Sequence, residues 1–171
     1  AGRDAAIDLG ATSGRFKDLY LSGGAYLGGT TSANHLDDYE EGVSSVTITP
    51  QSGTVSMPTT NNQFAYTKIG NVVHVSGYLY VNAVSSPTGF FDLSLPFTAA
   101  DLTDKGADAP ASLWMTNINS GANVADFMGV VLEGTNYIRV QLGDGVTVIN
   151  DSAEQLKAGT QIKVSLTYKV A

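Results

Sequence analysis

With 171 residues, 43% of them hydrophobic, the chain is long enough to fold around a core and too apolar to be disordered throughout. Its formal net charge of −7 speaks against nucleic acid or an anionic membrane surface as partner, because both are bound through basic patches. The absence of cysteine excludes disulfides, thiolate metal sites and cysteine nucleophiles.

Charged residues make up 15%, below the usual quarter, while glycine, valine, threonine and serine recur. That is the composition of a β-rich protein presenting uncharged polar side chains to water. No run approaches the roughly 18 apolar residues of a bilayer span, so no membrane insertion is expected. A chain opening at Ala1, without a basic-then-apolar leader, is expected to be a fragment or a processed form without a signal peptide.

Residues 1–32 hold glycine-rich turns and short apolar runs such as Ile7-Asp8-Leu9, without a self-sufficient core. The stretch RFKDLYLSGGAYLGG, Arg15 to Gly29, predicts a β-hairpin of Leu19–Leu21 and Ala25–Leu27 around Ser22-Gly23-Gly24. An isolated hairpin is marginal in water, so its apolar side chains require cover from elsewhere. HLDDYEEG, His35 to Gly42, reads as a solvated turn or a single helical turn. It marks the boundary between a segment at 1–42 and a domain at 43–171.

From Val43 onward the pattern is strand after strand. SVTITP (45–50) alternates and is expected to stop at Pro50. QFAYTKIGNVVHVSGYLYV gives strands at 63–69 and 72–84, joined at Gly70-Asn71. FFDLSLPF (90–97), SLWMTNIN (112–119), VADFMGVVLE (124–133) and YIRVQLGDG (137–145) follow, with turns at Gly134-Thr135-Asn136 and Gly143-Asp144-Gly145. Only Asp151 to Lys157 has helical character. The final run, QIKVSLTYKV, puts Ile162, Val164, Leu166, Tyr168 and Val170 on one face and Lys163, Ser165, Thr167 and Lys169 on the other. Strict period two means one buried face and one wet face. Short strands with regular turn signals predict an all-β fold, an antiparallel β-sandwich or jelly roll.

Signatures of catalysis are sparse. The sequence has no G-x-S-x-G elbow, H-E-x-x-H motif or P-loop, and only two histidines, His35 and His74. His74, flanked by Val73 and Val75, reads as a strand histidine satisfied by neighbours or water. The cluster His35, Asp37, Asp38, Glu40 and Glu41 lacks the spacing of a calcium loop and reads as solvated linker, so neither metal nor cofactor is expected. Asn150-Asp151-Ser152 is a formal glycosylation sequon.

What remains is binding. Saccharides favour aromatic faces beside oriented polar side chains. Trp114 with Asn117 and Asn119, and Tyr137 with Asn136 and Arg139, fit that description. Tyr137, Arg139 and Gln141 share a face opposite Ile138, Val140 and Leu142. Tyr78 and Tyr80 lie opposite Leu79 and Val81, and so point outward as well. The competing reading of each aromatic is core or subunit contact.

IDLGATSGRFKDLYLSGGAYLGG followed by ANHLDDYEEG resembles the shaft-to-tip junction of bacteriophage tail fibres. YTKIGNVVHVSGYLYV and LPFTAAD resemble the β-sandwich that closes many such fibres. The resemblance runs from about residue 7 to residue 102. One departure stands out. Similar fibres often follow the acidic element with Thr-Trp-Thr-Pro, whereas here Val43-Ser44-Ser45-Val46 follows and the proline comes at Pro50, which offsets the first tip strand.

The resemblance implies a homotrimer at the distal end of a tail fibre on the virion, joined to an upstream shaft. Its implied role is adsorption to a bacterial cell-surface receptor, a polysaccharide or outer-membrane component, and the sparse catalytic signatures lead to the expectation that the receptor is bound without being cleaved. In such a trimer Phe16, Leu19, Tyr20, Leu21, Tyr26 and Leu27 become assembly residues covered by their symmetry mates. The alternatives are a trimerisation or capping domain without receptor contact, and a polysaccharide depolymerase.

Overall fold

The computed structural model describes residues 8–119, 126–143 and 145–171. Ile7 of the first apolar run, Val124 and Ala125 at the start of an expected strand, and Asp144 of an expected turn lie outside the described residues. Contacts divide the chain into two units, Ala1–Asp37 and Asp38–Ala171.

The first unit holds two short strands, β1 (Ala25–Tyr26) and β2 (His35–Leu36), paired antiparallel with Ala25 opposite Leu36 and Tyr26 opposite His35. This corrects the expected hairpin, since Leu19–Leu21 lie in no strand. The alternative pairing is sealed by local bonds. Leu27 N–H donates to the Asn34 carbonyl at 2.9 Å, Asn34 Nδ2 donates to the Leu27 carbonyl at 3.1 Å, and the Tyr26 ring stacks on His35 at 4.4 Å. Gly24 is where the returning chain passes. Its φ is +78°, and a Cβ there would lie 2.7 Å from Asp37 Cα. The glycine that suggested a hairpin turn admits a close crossing instead.

The second unit is a curled antiparallel sheet. Its strands are β3 (Tyr39–Ser45), β4 (Ile48–Ser56), β5 (Asn62–Ile69), β6 (Val72–Tyr80), β7 (Ala83–Ser94), β8 (Ala109–Thr116), β9 (Asp126–Val131), β10 (Tyr137–Gly143), β11 (Val148–Ile149) and β12 (Gln161–Lys169). They follow the order β3-β5-β6-β12-β8-β9-β10-β7-β4, with β11 attached to β10. A 3₁₀ turn at Ala153–Gln155 falls within the stretch expected to have helical character, and a second one, at Ser32–Asn34 in the first unit, falls outside it.

Two corners fold this sheet into layers. In β8, Ser112–Thr116 pair with β12 while Ala109–Ala111 pair with β9, so one strand serves both layers. At the other side β3 and β4 are joined through Val46-Thr47, and they pair with β5 and β7 respectively. Between the layers lie Phe64, Val75, Leu79, Phe91, Ile138 and Ile162, all fully buried. The all-β antiparallel fold expected from the alternation is the one observed.

Strand ends differ from expectation where tertiary partners intervene. Tyr39–Gly42, read as solvated linker, form the first half of β3. There Tyr39 pairs with Ile69 and Gly42 with Tyr66, and Asp38 forms an ion pair with Lys68. Pro50 sits inside β4 rather than ending it. It is tolerated because β4 closes the path as an edge, with a register shift between Pro50 and Ser52.

Candidate functional site

Alternation sends one side chain in two to the outside of each layer, and two aromatic-polar groups result. The first is on β10, where Tyr137, Arg139 and Gln141 point away from buried Ile138, Val140 and Leu142. Register places Arg139 opposite Asp92 of β7. Arg139 Nε and Nη2 donate to the two Asp92 oxygens at 3.0 Å each, a bidentate fork, and Nη2 also reaches the Tyr137 hydroxyl at 3.3 Å. The guanidinium lies 3.9 Å from the centre of the Phe90 ring and 5.1 Å from that of Tyr137. Hydrogen bonding to Asp92 raises the arginine pKa further, against an opposing pull from burial. Beside this group Gln141 Nε2 donates to Asn150 Oδ1 at 2.6 Å.

These contacts make a rigid plate. The Arg139 and Asp92 side chains keep only 24% and 17% of their exposure, so the pair is held firmly while its rim still meets water. Planar polar groups fixed by one another, next to ring faces, lose little entropy when they engage a ligand's hydroxyls. Both Asp92 oxygens accept from the guanidinium, so each side chain fixes the orientation of the other.

The second group lies on the outer face of the other layer. Lys163 of β12 stands between Tyr78 of β6 and Trp114 of β8, in register with both. Its Nζ is 4.7 Å from the centre of the Trp114 ring, and Trp114 remains 49% exposed. Tyr80 stands on the same face beside Gln161. His74 shares this face farther along β6, and its Nδ1 meets Thr167 Oγ1 at 3.1 Å, as expected of a strand histidine satisfied locally.

The asparagines fall elsewhere. Asn117, at a positive φ of 54°, directs Nδ2 toward the Ala158 carbonyl at 3.5 Å, and its own carbonyl accepts from Thr160 Oγ1 at 2.9 Å. Asn119 Nδ2 donates to the Glu154 carbonyl at 3.0 Å. Both amides tie loop to loop and do not join Trp114. Asn136 is exposed and precedes β10, its carbonyl accepting from Leu95 N–H at 2.7 Å.

The acidic cluster disperses onto local partners. His35 Nδ1 lies 3.5 Å from Asp37, Glu40 accepts from the Tyr66 hydroxyl, and Glu41 accepts from the Tyr39 hydroxyl. These bonds hold the Tyr66 and Tyr39 hydroxyls above their ordinary pKa. Among the described residues no three His, Asp or Glu side chains come together in a group that could hold a metal ion. In the sequon, Ser152 is buried and donates to the Val140 carbonyl at 2.6 Å.

In the first unit the apolar side chains expected to serve assembly all face water, from 53% exposure for Leu21 to 90% for Tyr20. Leu9, Phe16 and Leu19 line one shared concavity with Arg15. Phe90, Asp92 and Lys163 are the site residues that sequence reasoning missed. Phe90 and Asp92 could have been found from the alternation of FFDLSL, in which they oppose Phe91 and Leu93. The Asp92 pairing with Arg139 spans 47 residues and leaves no local trace.

No protein-family model matches the sequence, and no curated protein sequence matches it either. Among solved structures, the chain is similar to the crystal structure of the Dettilon tailspike protein, with a TM-score of 0.60 and 18% identity. The match covers 77% of this chain and 24% of that one, so the chain spans about a quarter of the tailspike's length. At this identity the likeness establishes a shared fold.

Proposed function

We propose that this chain is the receptor-binding end of a phage tail fibre or tailspike. It attaches the virion to a bacterial surface saccharide without cleaving it. The observation that carries the reading is the plate of Tyr137, Arg139, Asp92 and Phe90, a preorganised aromatic-polar surface on a rigid sheet. The tailspike fold and the shaft-to-tip motifs around Arg15–Gly42 support the same assignment. The first unit joins the upstream shaft, and its exposed apolar residues are covered in a homotrimer. Each plate binds weakly, and three copies per fibre raise the effective concentration for rebinding.

The test is binding of the purified protein to susceptible cells and to polysaccharide extracted from them. Saturable binding that weakens on Tyr137→Ala, at unchanged thermal stability, is the expected result. No binding to either would make the chain a capping element. Release of oligosaccharides from the extracted polymer would make it a depolymerase.

A further inference from the structure

The outer face of the β3-β5-β6-β12-β8 layer can be read row by row from its register. One row runs Ser45, Gln63, Tyr78, Lys163, Trp114. The next is Val43, Ala65, Ser76, Ser165, Ser112, and the third is Glu41, Thr67, His74, Thr167. Three serines in register across three strands, with Ala65 beside them, make a strip of short side chains between two rows of larger ones. Same-face residues four apart on a strand are about 13 Å apart, and four strands span about 14 Å. The strip is therefore a shallow trough with a hydroxyl floor. Lys163 and the Trp114 and Tyr78 rings form one wall, and His74 and Thr167 form the other.

Charge on this face runs against the rest of the chain. The molecule carries a net −7, yet these rows and the next one along hold Lys163 and Lys169 against a single carboxylate, Glu41. Glu41 lies on the outermost strand, where it accepts from the Tyr39 hydroxyl. A cation held over an indole ring, above a floor of hydroxyls, suits a ligand that offers a sugar ring and a negative charge together.

We propose that this trough is a second saccharide site, specific for acidic sugars such as hexuronates. A ring stacks against Trp114 or Tyr78, a carboxylate accepts from Lys163 Nζ, and the hydroxyls meet Ser76, Ser112 and Ser165. The site goes beyond the plate on β10 and shares with it only the premise that the chain binds saccharide.

The probe is an array of purified bacterial surface polysaccharides, acidic and neutral, presented to the whole chain. Acidic members should bind. That binding should fall about tenfold on Lys163→Gln and on Trp114→Ala, as expected for loss of a charge-assisted contact or a stacking face. Carboxyl reduction of the polysaccharide should have the same effect. Binding to neutral members only, or acidic binding indifferent to Lys163→Gln and Trp114→Ala, overturns the trough and leaves receptor binding standing. If either substitution changes the sedimentation mass, the face belongs to subunit contact and the proposal fails. Absence of binding to every member and to intact cells overturns both sites.

Discussion

Tyr168 shows how one side chain of an alternating strand is committed by its surroundings. In QIKVSLTYKV it occupies an inward position like Leu166, and it is 2% exposed in the folded unit. Its hydroxyl donates to the Phe97 carbonyl at 3.1 Å and receives the Phe97 N–H at 3.3 Å. Burial pushes its pKa up to about 12 from an ordinary 10.0, with the Phe97 N–H pulling the other way. A raised pKa means the folded state keeps a proton that the unfolded chain has released. The associated stability is complete below pH 10 and is lost as pH rises through about 12. Across that window the loss amounts to about 2 to 3 kcal/mol. Denaturant unfolding measured from pH 9 to 12 should show this decline, and Tyr168→Phe should flatten it while costing about 1 kcal/mol at neutral pH. An unchanged slope in the variant would assign the alkaline loss to other tyrosines.

At the scale of elements, cross-strand register decides what each strand can carry. Gly77 of β6 pairs with Phe64 of β5 and points inward, between Val75 and Leu79. A Cβ at Gly77 would lie 2.5 Å from Phe64 Cδ1 and 2.7 Å from the Gln63 carbonyl oxygen. The Phe64 ring therefore occupies the space the glycine leaves, which fills the core where a side chain is missing. Gly77→Ala should lower unfolding stability by about 1 to 3 kcal/mol, and the penalty should shrink in a Phe64→Leu background that frees the space. Ser76→Ala, on the outer face, should change stability by less than about 0.5 kcal/mol. Equal penalties in both backgrounds would show that Phe64 is not the obstacle. Period two made the strands around Val75, Ile138 and Ile162 legible, because one face of each is buried along its whole length. The acidic Tyr39–Gly42 escaped that reading, since its pairing depends on β5 and on charge cancellation at Lys68. The aromatic-polar faces were half legible for the same reason. Tyr137, Arg139, Tyr78 and Trp114 stood out individually, while the carboxylate and the cation that organise them come from other strands.

For the whole molecule, the contrast between the two units is the main physical fact. The second unit folds its sheet into layers at two corners and buries a continuous apolar interior. The first has a two-residue ladder and leaves Leu9, Phe16, Leu19, Tyr20, Leu21, Tyr26 and Leu27 mostly in water. Apolar side chains gathered in one short segment mark a surface for association, and each leucine covered there contributes about 1.5 to 3 kcal/mol. In the proposed homotrimer, symmetry supplies that cover three times over without any further sequence. Analytical ultracentrifugation of the intact chain should give three times the chain mass. Changing Leu19, Leu21 and Leu27 together to serine should shift the population toward monomer, with the far-ultraviolet β signal retained, because none of the three lies in the curled sheet. A chain that sediments as a monomer before any substitution, or a trimer whose midpoint of dissociation ignores all three changes, would remove the assembly role from this segment. The exposed leucines would then need a different partner, and the proposed receptor binding would lose the trimeric avidity argued for it.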